Sequence, residues 1–225
     1  MESDTLRVYD QAAAAYDAEP NSVLFTETAA VLALLDLRKG DALLDAACGT
    51  GKYVREGLKG GADCVGLDFS REMLALAAAK CPGARFVRHD LMSPPLPFAG
   101  GAFGKIILAH ALWHLAGVAA LFAEFARLLG PGGRLVVTVT HPEAAFKRFE
   151  YRREDCPGGD EIDISKERRR YTLGEITAAA LSAGLRPAAA ETIQVDERLR
   201  PVLTEESYAR VRGTPLILAL RFDKP

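Results

Sequence analysis

One stretch of seven residues, Asp45-Ala46-Ala47-Cys48-Gly49-Thr50-Gly51, has the types and spacing to bring main chain against a ligand. Glycine lets backbone amides approach a bound group that a side chain would push away, and Asp45 sets a carboxylate just ahead of the turn. A dinucleotide fingerprint would need a third glycine where Val54 stands, so a diphosphate clamp is incomplete. The phosphate-loop pattern fails as well. Lys52 follows Gly51, but the earlier glycine partner is missing and Tyr53 stands where Ser or Thr is required. A second acid, Asp68, ends the run Cys64-Val65-Gly66-Leu67 at the place for a carboxylate that accepts both hydroxyls of a ribose. A third, Asp90 in His89-Asp90-Leu91, can accept from an exocyclic adenine amine while a backbone amide donates to the ring. These three sites together describe an adenosine without phosphates.

Three histidines, His110, His114 and His141, fall just beyond two later apolar runs, where a base for an acceptor hydroxyl would be useful. His110 and His114 have the spacing of a helical metal pair. No Glu occupies position 111 and no third ligand follows, so no metal site is drawn. Trp113 beside them could stack on a substrate ring or cover a core edge.

The elements that must hold these residues follow from pattern. Residues 5–17 and 23–36 have helical spacing with Pro20-Asn21-Ser22 as the break, and 42–47 is a buried strand feeding the glycine turn. Short apolar strands near 63–67, 85–88, 105–109 and 134–140 alternate with helical windows near 52–59, 71–80 and 118–129. Strands without polar alternation, each followed by a helix, predict a doubly wound α/β fold whose parallel sheet is covered on both faces. The segments 141–171 and 195–213 exceed ordinary loop lengths and are expected to be lid or acceptor-site segments. Residues 1–38 would form an N-terminal helical cap on a single domain, 1–225.

Composition narrows the class. With 28 basic and 30 acidic residues the net charge is −2, which gives no general attraction to nucleic acid or an anionic membrane. Cys48, Cys64, Cys81 and Cys156 form no C-x-x-C pair, so a zinc knuckle is excluded. The acidic, polar start MESDTLRVYD is unlike a signal peptide and points to a cytoplasmic protein. Lys166, Arg168, Arg169 and Arg170 lie among Asp160, Glu161, Asp163 and Glu167 and read as a self-neutralised segment.

Taken in order, the motifs resemble the class I S-adenosylmethionine-dependent methyltransferases, in the small-molecule branch with the ubiquinone and menaquinone enzymes. The resemblance rests on Tyr9-Asp10 and Tyr16-Asp17, Leu43 through Gly51, Gly66-Leu67-Asp68-Phe69-Ser70 with Met73-Leu74, and His89-Asp90-Leu91. Leu96-Pro97-Phe98 with Phe103, Leu112-Trp113-His114-Leu115, and Leu129-Gly130-Pro131-Gly132-Gly133 complete it. The chain departs from the family pattern at Lys105, Trp113 and Ala116-Gly117, which bear on the acceptor side.

The resemblance implies S-adenosylmethionine as cofactor and a small-molecule acceptor as the only partner, with the chain a monomer or homodimer. It would place Asp45, Gly49 and Gly51 around the methionine end, Asp68 on the ribose, Phe69 and Met73 on the adenine faces, and Asp90 with Leu91 at the adenine edge, with Ala47 and His110 also in the cofactor site. Tyr16, in the helical lead-in, would close over the cofactor, and His114 and His141 are the candidate bases. It also implies a seven-stranded sheet in the order 3-2-1-4-5, extended by an antiparallel pair from 188–194 and 215–222, with a helix over 172–183 ended by Gly184. The same residues leave open a nicotinamide-dependent oxidoreductase, against which Val54 stands, and a relative that binds the cofactor without methyl transfer.

Overall fold

Leu43 and Leu44 are neighbours in sequence and both are fully buried, but they enter different clusters, because successive strand side chains point to opposite faces. Ile106 and Ile107 divide in the same way. A sheet buried on both faces is thus written into two pairs of apolar residues. The computed structural model describes residues 4–13, 16, 26–144, 171–201 and 203–225.

The central strand β1 (Ala42–Ala46) pairs in parallel with β2 (Asp63–Asp68) and with β4 (Phe103–Ala109). Outside them lie β3 (Arg85–Arg88) and β5 (Leu129–Thr140), both parallel. Two strands complete the far side: β7 (Pro215–Asp223) runs antiparallel to β5 and to the edge strand β6 (Arg186–Gln194). The order is β3-β2-β1-β4-β5-β7-β6, the first five strands and the added pair as expected, with β7 inserted between β5 and β6. Strand order reverses between β1 and β4, which opens the crevice where sheets of this kind bind ligands.

Helices α1 (Asp4–Ala12), α2 (Thr28–Leu35), α3 (Lys52–Lys59), α4 (Arg71–Lys80), α5 (Val118–Leu128), α6 (Leu173–Ser182) and α7 (Glu205–Val211) cover the sheet. Phe122 and Phe125 of α5 and Ile176 of α6 pack with Leu44 and Phe222 on one face. Val31 and Leu35 of α2, Val54 of α3, Leu74 of α4 and Tyr208 of α7 pack with Leu43 and Ile217 on the other. Local chemistry marks the helix ends. Ser70 caps α4 by accepting from the Met73 amide, and Thr172 with Glu175 forms a capping box on α6, which stops before Gly184 at φ 81°.

Several boundaries differ from the sequence reading. The strand expected at 134–140 begins at Leu129, because Leu129 pairs with Phe103 and the Gly132 and Gly133 backbone exchanges hydrogen bonds with Lys224. Glycine and proline there read as a turn. The lead-in helices are shorter than 5–17 and 23–36: Asp36, at φ 48°, ends α2, and Tyr16 sits in a turn after α1 with its amide bonded to the Ala13 carbonyl. The break at Pro20-Asn21-Ser22 and residues 145–170, with the basic cluster and Cys156, lie outside the described residues. The 195–213 connection carries α7, capped by Thr204, and buries Val195, Leu199, Leu203, Tyr208 and Val211 in the core. No helix among the described residues is long and apolar enough to cross a membrane.

Candidate cofactor and acceptor site

The turn after β1 is built by left-handed backbone: Ala47 at φ 65°, Gly49 at 51° and Gly51 at 85°. A Cβ on Gly51 would sit 3.1 Å from Ala77 Cβ on α4, so turn and helix pack at a distance only glycine permits. The Cys48 amide donates to the Leu67 carbonyl, tying the turn to β2. Asp45, 1% exposed, lies beneath it and accepts a hydrogen bond from the Val54 amide in the first turn of α3. Its Oδ2 has no hydrogen-bond partner among the described residues. Burial, reinforced by the charge of Asp68, raises the Asp45 carboxyl to about 7.

Asp68 ends β2 with each oxygen held by main chain: Gly49 N–H donates to Oδ2 at 2.8 Å and Ser70 N–H to Oδ1 at 2.9 Å. Burial raises its pKa, and those two amides offset part of that rise. Each oxygen keeps a further lone pair, so the carboxylate can still accept from two vicinal hydroxyls. Phe69 follows, and its carbonyl is held by Arg88 Nε at 3.0 Å. Met73 is buried, 1% exposed. Asp90 is exposed and accepts from the Met92 amide at 2.8 Å, while the Leu91 side chain packs into the core.

Across the crevice, His110 follows directly on β4 at φ 52°. Its Nε2 lies 2.7 Å from Glu27 Oε2, and the Tyr53 hydroxyl donates to Glu27 Oε1 at 2.6 Å. Lys52 Nζ is 3.6 Å from the same Oε1. Burial alone would raise the Glu27 carboxyl, but the neighbouring His110 and Lys52 and the Tyr53 hydrogen bond outweigh it and hold the pKa at about 2.

Beyond β4, the 3-10 turn Leu112–His114 brings Trp113 to 5.6 Å from the His110 ring and 5.9 Å from the His114 ring. His114 Nε2 is 2.9 Å from the Tyr9 hydroxyl on α1. Asp10, next along α1, accepts from the Ser70 hydroxyl. Helix α1 is thereby tied across the crevice, to the turn after β4 and to the turn after β2. Phe69 and Tyr16 lie 6.1 and 6.3 Å from the Tyr9 ring. His141, at the end of β5, accepts at Nδ1 from the Glu143 amide at 3.1 Å. A neutral imidazole accepting there carries its proton on Nε2, so no lone pair is left to act as a base.

The geometry thus gathers Asp45, Ala47, Gly49, Gly51, Asp68 and His110 at the β1, β2 and β4 ends, and His114 with Tyr9 and Trp113 above them. Glu27 and Tyr53 were missing from the sequence candidates. Glu27 meets His110 across 83 residues of chain, so no local spacing could announce the pair.

Two opposed pH effects follow from the buried acids. Asp45, raised from 3.8 to about 7, makes a contribution to stability that is full below about pH 4 and lost as pH rises through about 7. Glu27, lowered from 4.5 to about 2, contributes stability that is present above about pH 4.5 and lost as pH falls toward 2. The ligand-free protein should therefore resist denaturant better at pH 5 than at pH 8, by a few kcal/mol at about 1.4 kcal/mol per pKa unit. In Asp45→Asn the denaturant midpoint should no longer fall between those pH values, and a midpoint that falls as in the parent would remove Asp45 as the cause.

Residues 44–137 match a methyltransferase domain family. The chain is 30% identical over 148 residues to a demethylmenaquinone methyltransferase of Tropheryma whipplei, an alignment covering 64% of this chain and 62% of that one. It thus spans less than two thirds of that relative. An S-adenosylmethionine-dependent methyltransferase from Mesorhizobium loti superposes with a TM-score of 0.70 at 26% identity, over 88% of this chain and 98% of that one. The [4+2]-cyclase SpnF shares the fold at a TM-score of 0.68 and 18% identity, over 99% and 97%. The fold is that of the class I S-adenosylmethionine-dependent methyltransferases, and the methyltransferase-domain match over residues 44–137 spans the strands β1 to β5 that build the crevice. Within that class the chain resembles the quinone methyltransferases, and S-adenosylmethionine is the cofactor that goes with the fold.

Proposed function

We propose that the protein transfers the methyl group of S-adenosylmethionine to a small-molecule acceptor. The observation that carries this reading is Asp68, buried at the end of β2 with both oxygens anchored by the amides of the glycine turn and of Ser70, beside a crevice without a diphosphate clamp. A ribose fits there, and the tight turn before α3 leaves room for a methionine end rather than phosphates. In this reading Asp90, Leu91, Phe69 and Met73 frame the adenine, and Tyr16 with α1 covers the cofactor. The activated methyl needs in-line placement away from water more than a reactive side chain. Tyr9, Trp113 and His114 wall the acceptor side, and His114 takes the proton that the acceptor sheds. Buried free thiols at Cys48, Cys64 and Cys81 accord with a reducing, cytoplasmic setting.

A ligand bound only by the native state raises the melting temperature by mass action. S-adenosylhomocysteine should do so and NADH should not, and methyl-labelled S-adenosylmethionine should yield a labelled small molecule from a metabolite extract. A shift with NADH alone would return the oxidoreductase reading. The cyclase with the same fold gives weight to a second outcome, a shift without any methylated product, because fold does not decide reaction.

A further inference from the structure

Glu27 is fully buried, lies outside the glycine turn and touches His110, Tyr53 and Lys52 at the methionine side of the crevice. We propose that Glu27 is a positioning residue that fixes the proton of His110 on Nε2 and so presents Nδ1 as a buried acceptor for the cofactor's α-ammonium group. The inference rests on reading the crevice as an S-adenosylmethionine site, and it adds a residue to that site.

A carboxylate that stays ionised can only accept hydrogen bonds, so the 2.7 Å contact between Glu27 Oε2 and His110 Nε2 must carry its proton on the nitrogen. The tautomer is set by this partner, as it is wherever a carboxylate orients an imidazole. Lys52 Nζ, 3.6 Å from the other Glu27 oxygen, shares the carboxylate's charge with the ring. A neutral ring with its proton on Nε2 bears a lone pair on Nδ1. That atom is buried and has no hydrogen-bond partner among the described residues.

Asp45 Oδ2 is a second buried acceptor with no hydrogen-bond partner among the described residues. It stands on β1, whose Asp45 is paired in register with Ile107 of β4, the strand that His110 directly follows. The two orphaned acceptors therefore flank the reversal in strand order. An ammonium has three donors and can satisfy both, and burial of unmet acceptors makes such a site selective for a ligand that meets them.

The test compares S-adenosylhomocysteine with its desamino analogue by calorimetric titration. The parent should bind the amino compound at least tenfold more tightly. In Glu27→Gln that ratio should collapse toward one, with affinity for the desamino analogue within about threefold of the parent. His110→Phe, which leaves Glu27 paired with Tyr53 and Lys52, should give the same collapse and serves if Glu27→Gln does not fold. Nitrogen-15 shifts of His110 should report a single Nε2-protonated form in the parent and a tautomer mixture in Glu27→Gln. Equal weakening of both ligands in both variants would make Glu27 merely structural, and a doubly protonated ring in the parent would equally overturn the proposal. Failure of the parent to bind either compound would instead overturn the cofactor reading itself, and is seen before any variant is compared.

Discussion

Asp68→Ala should weaken S-adenosylhomocysteine binding by two to three orders of magnitude, or about 3–4 kcal/mol, while the protein stays folded. A charge-assisted hydrogen bond is worth about 1.5–3 kcal/mol, and two vicinal ribose hydroxyls would make a pair of them. The substitution also releases the Gly49 and Ser70 amides, the first of which belongs to the turn that must wrap the cofactor. Its effect on folding should be milder, because burial of the ionised acid already raises the Asp68 pKa and removing it relieves that cost. Asp68→Asn keeps the shape but replaces one acceptor with a donor, so it should fall between the parent and the alanine variant. Calorimetric titration with far-ultraviolet circular dichroism checks both parts, and unchanged affinity in Asp68→Ala would refute the ribose assignment.

The ease of reading Asp68 from sequence, against the invisibility of Glu27, has a physical reason. Parallel strands end at one edge of the sheet, so residues that terminate apolar runs converge there whatever the loops do. The ends of β1, β2 and β4 were legible for that reason, and with them Asp45, Asp68 and His110. The final pair β6 and β7 was legible only through resemblance, since nothing in Arg186–Gln194, exposed over most of its length, announces a strand. Glu27 contacts His110 and Tyr53 through tertiary packing, with partners 83 and 26 positions apart in the chain, and a lone acid before a helix looks like a cap. Helix α7 was hidden differently. Thr204 and the acids Glu205 and Glu206 are a start signal, but the helix spans only seven residues and reads as loop.

His114 and His141 looked alike in sequence, and they differ in the hydrogen bonds they make. His141 spends the Nδ1 lone pair on the Glu143 amide, so as a neutral ring it has nothing left with which to take a proton. His114 shares a hydrogen bond with the Tyr9 hydroxyl at 2.9 Å and lies beside Trp113, on the side that the proposed function gives to the acceptor. If the acceptor atom must lose a proton as it is methylated, the Tyr9–His114 pair is placed to receive it. General-base assistance contributes about 10²–10⁴ in rate. His114→Ala should therefore lower kcat by at least about a hundredfold with S-adenosylhomocysteine affinity within threefold of the parent, since no cofactor contact is removed. The rise of kcat/KM with pH that reports the base should disappear with it. Tyr9→Phe should give a smaller loss, because the imidazole remains, and His141→Ala should leave kcat within about twofold. Rate profiles for the three variants decide the matter: a large loss in His141→Ala, or a pH profile that His114→Ala leaves intact, would take the base away from His114. Loss of cofactor affinity in His114→Ala alongside the fall in kcat would instead mark the Tyr9 contact as the tie that holds α1 over the cofactor, and the histidine as its anchor.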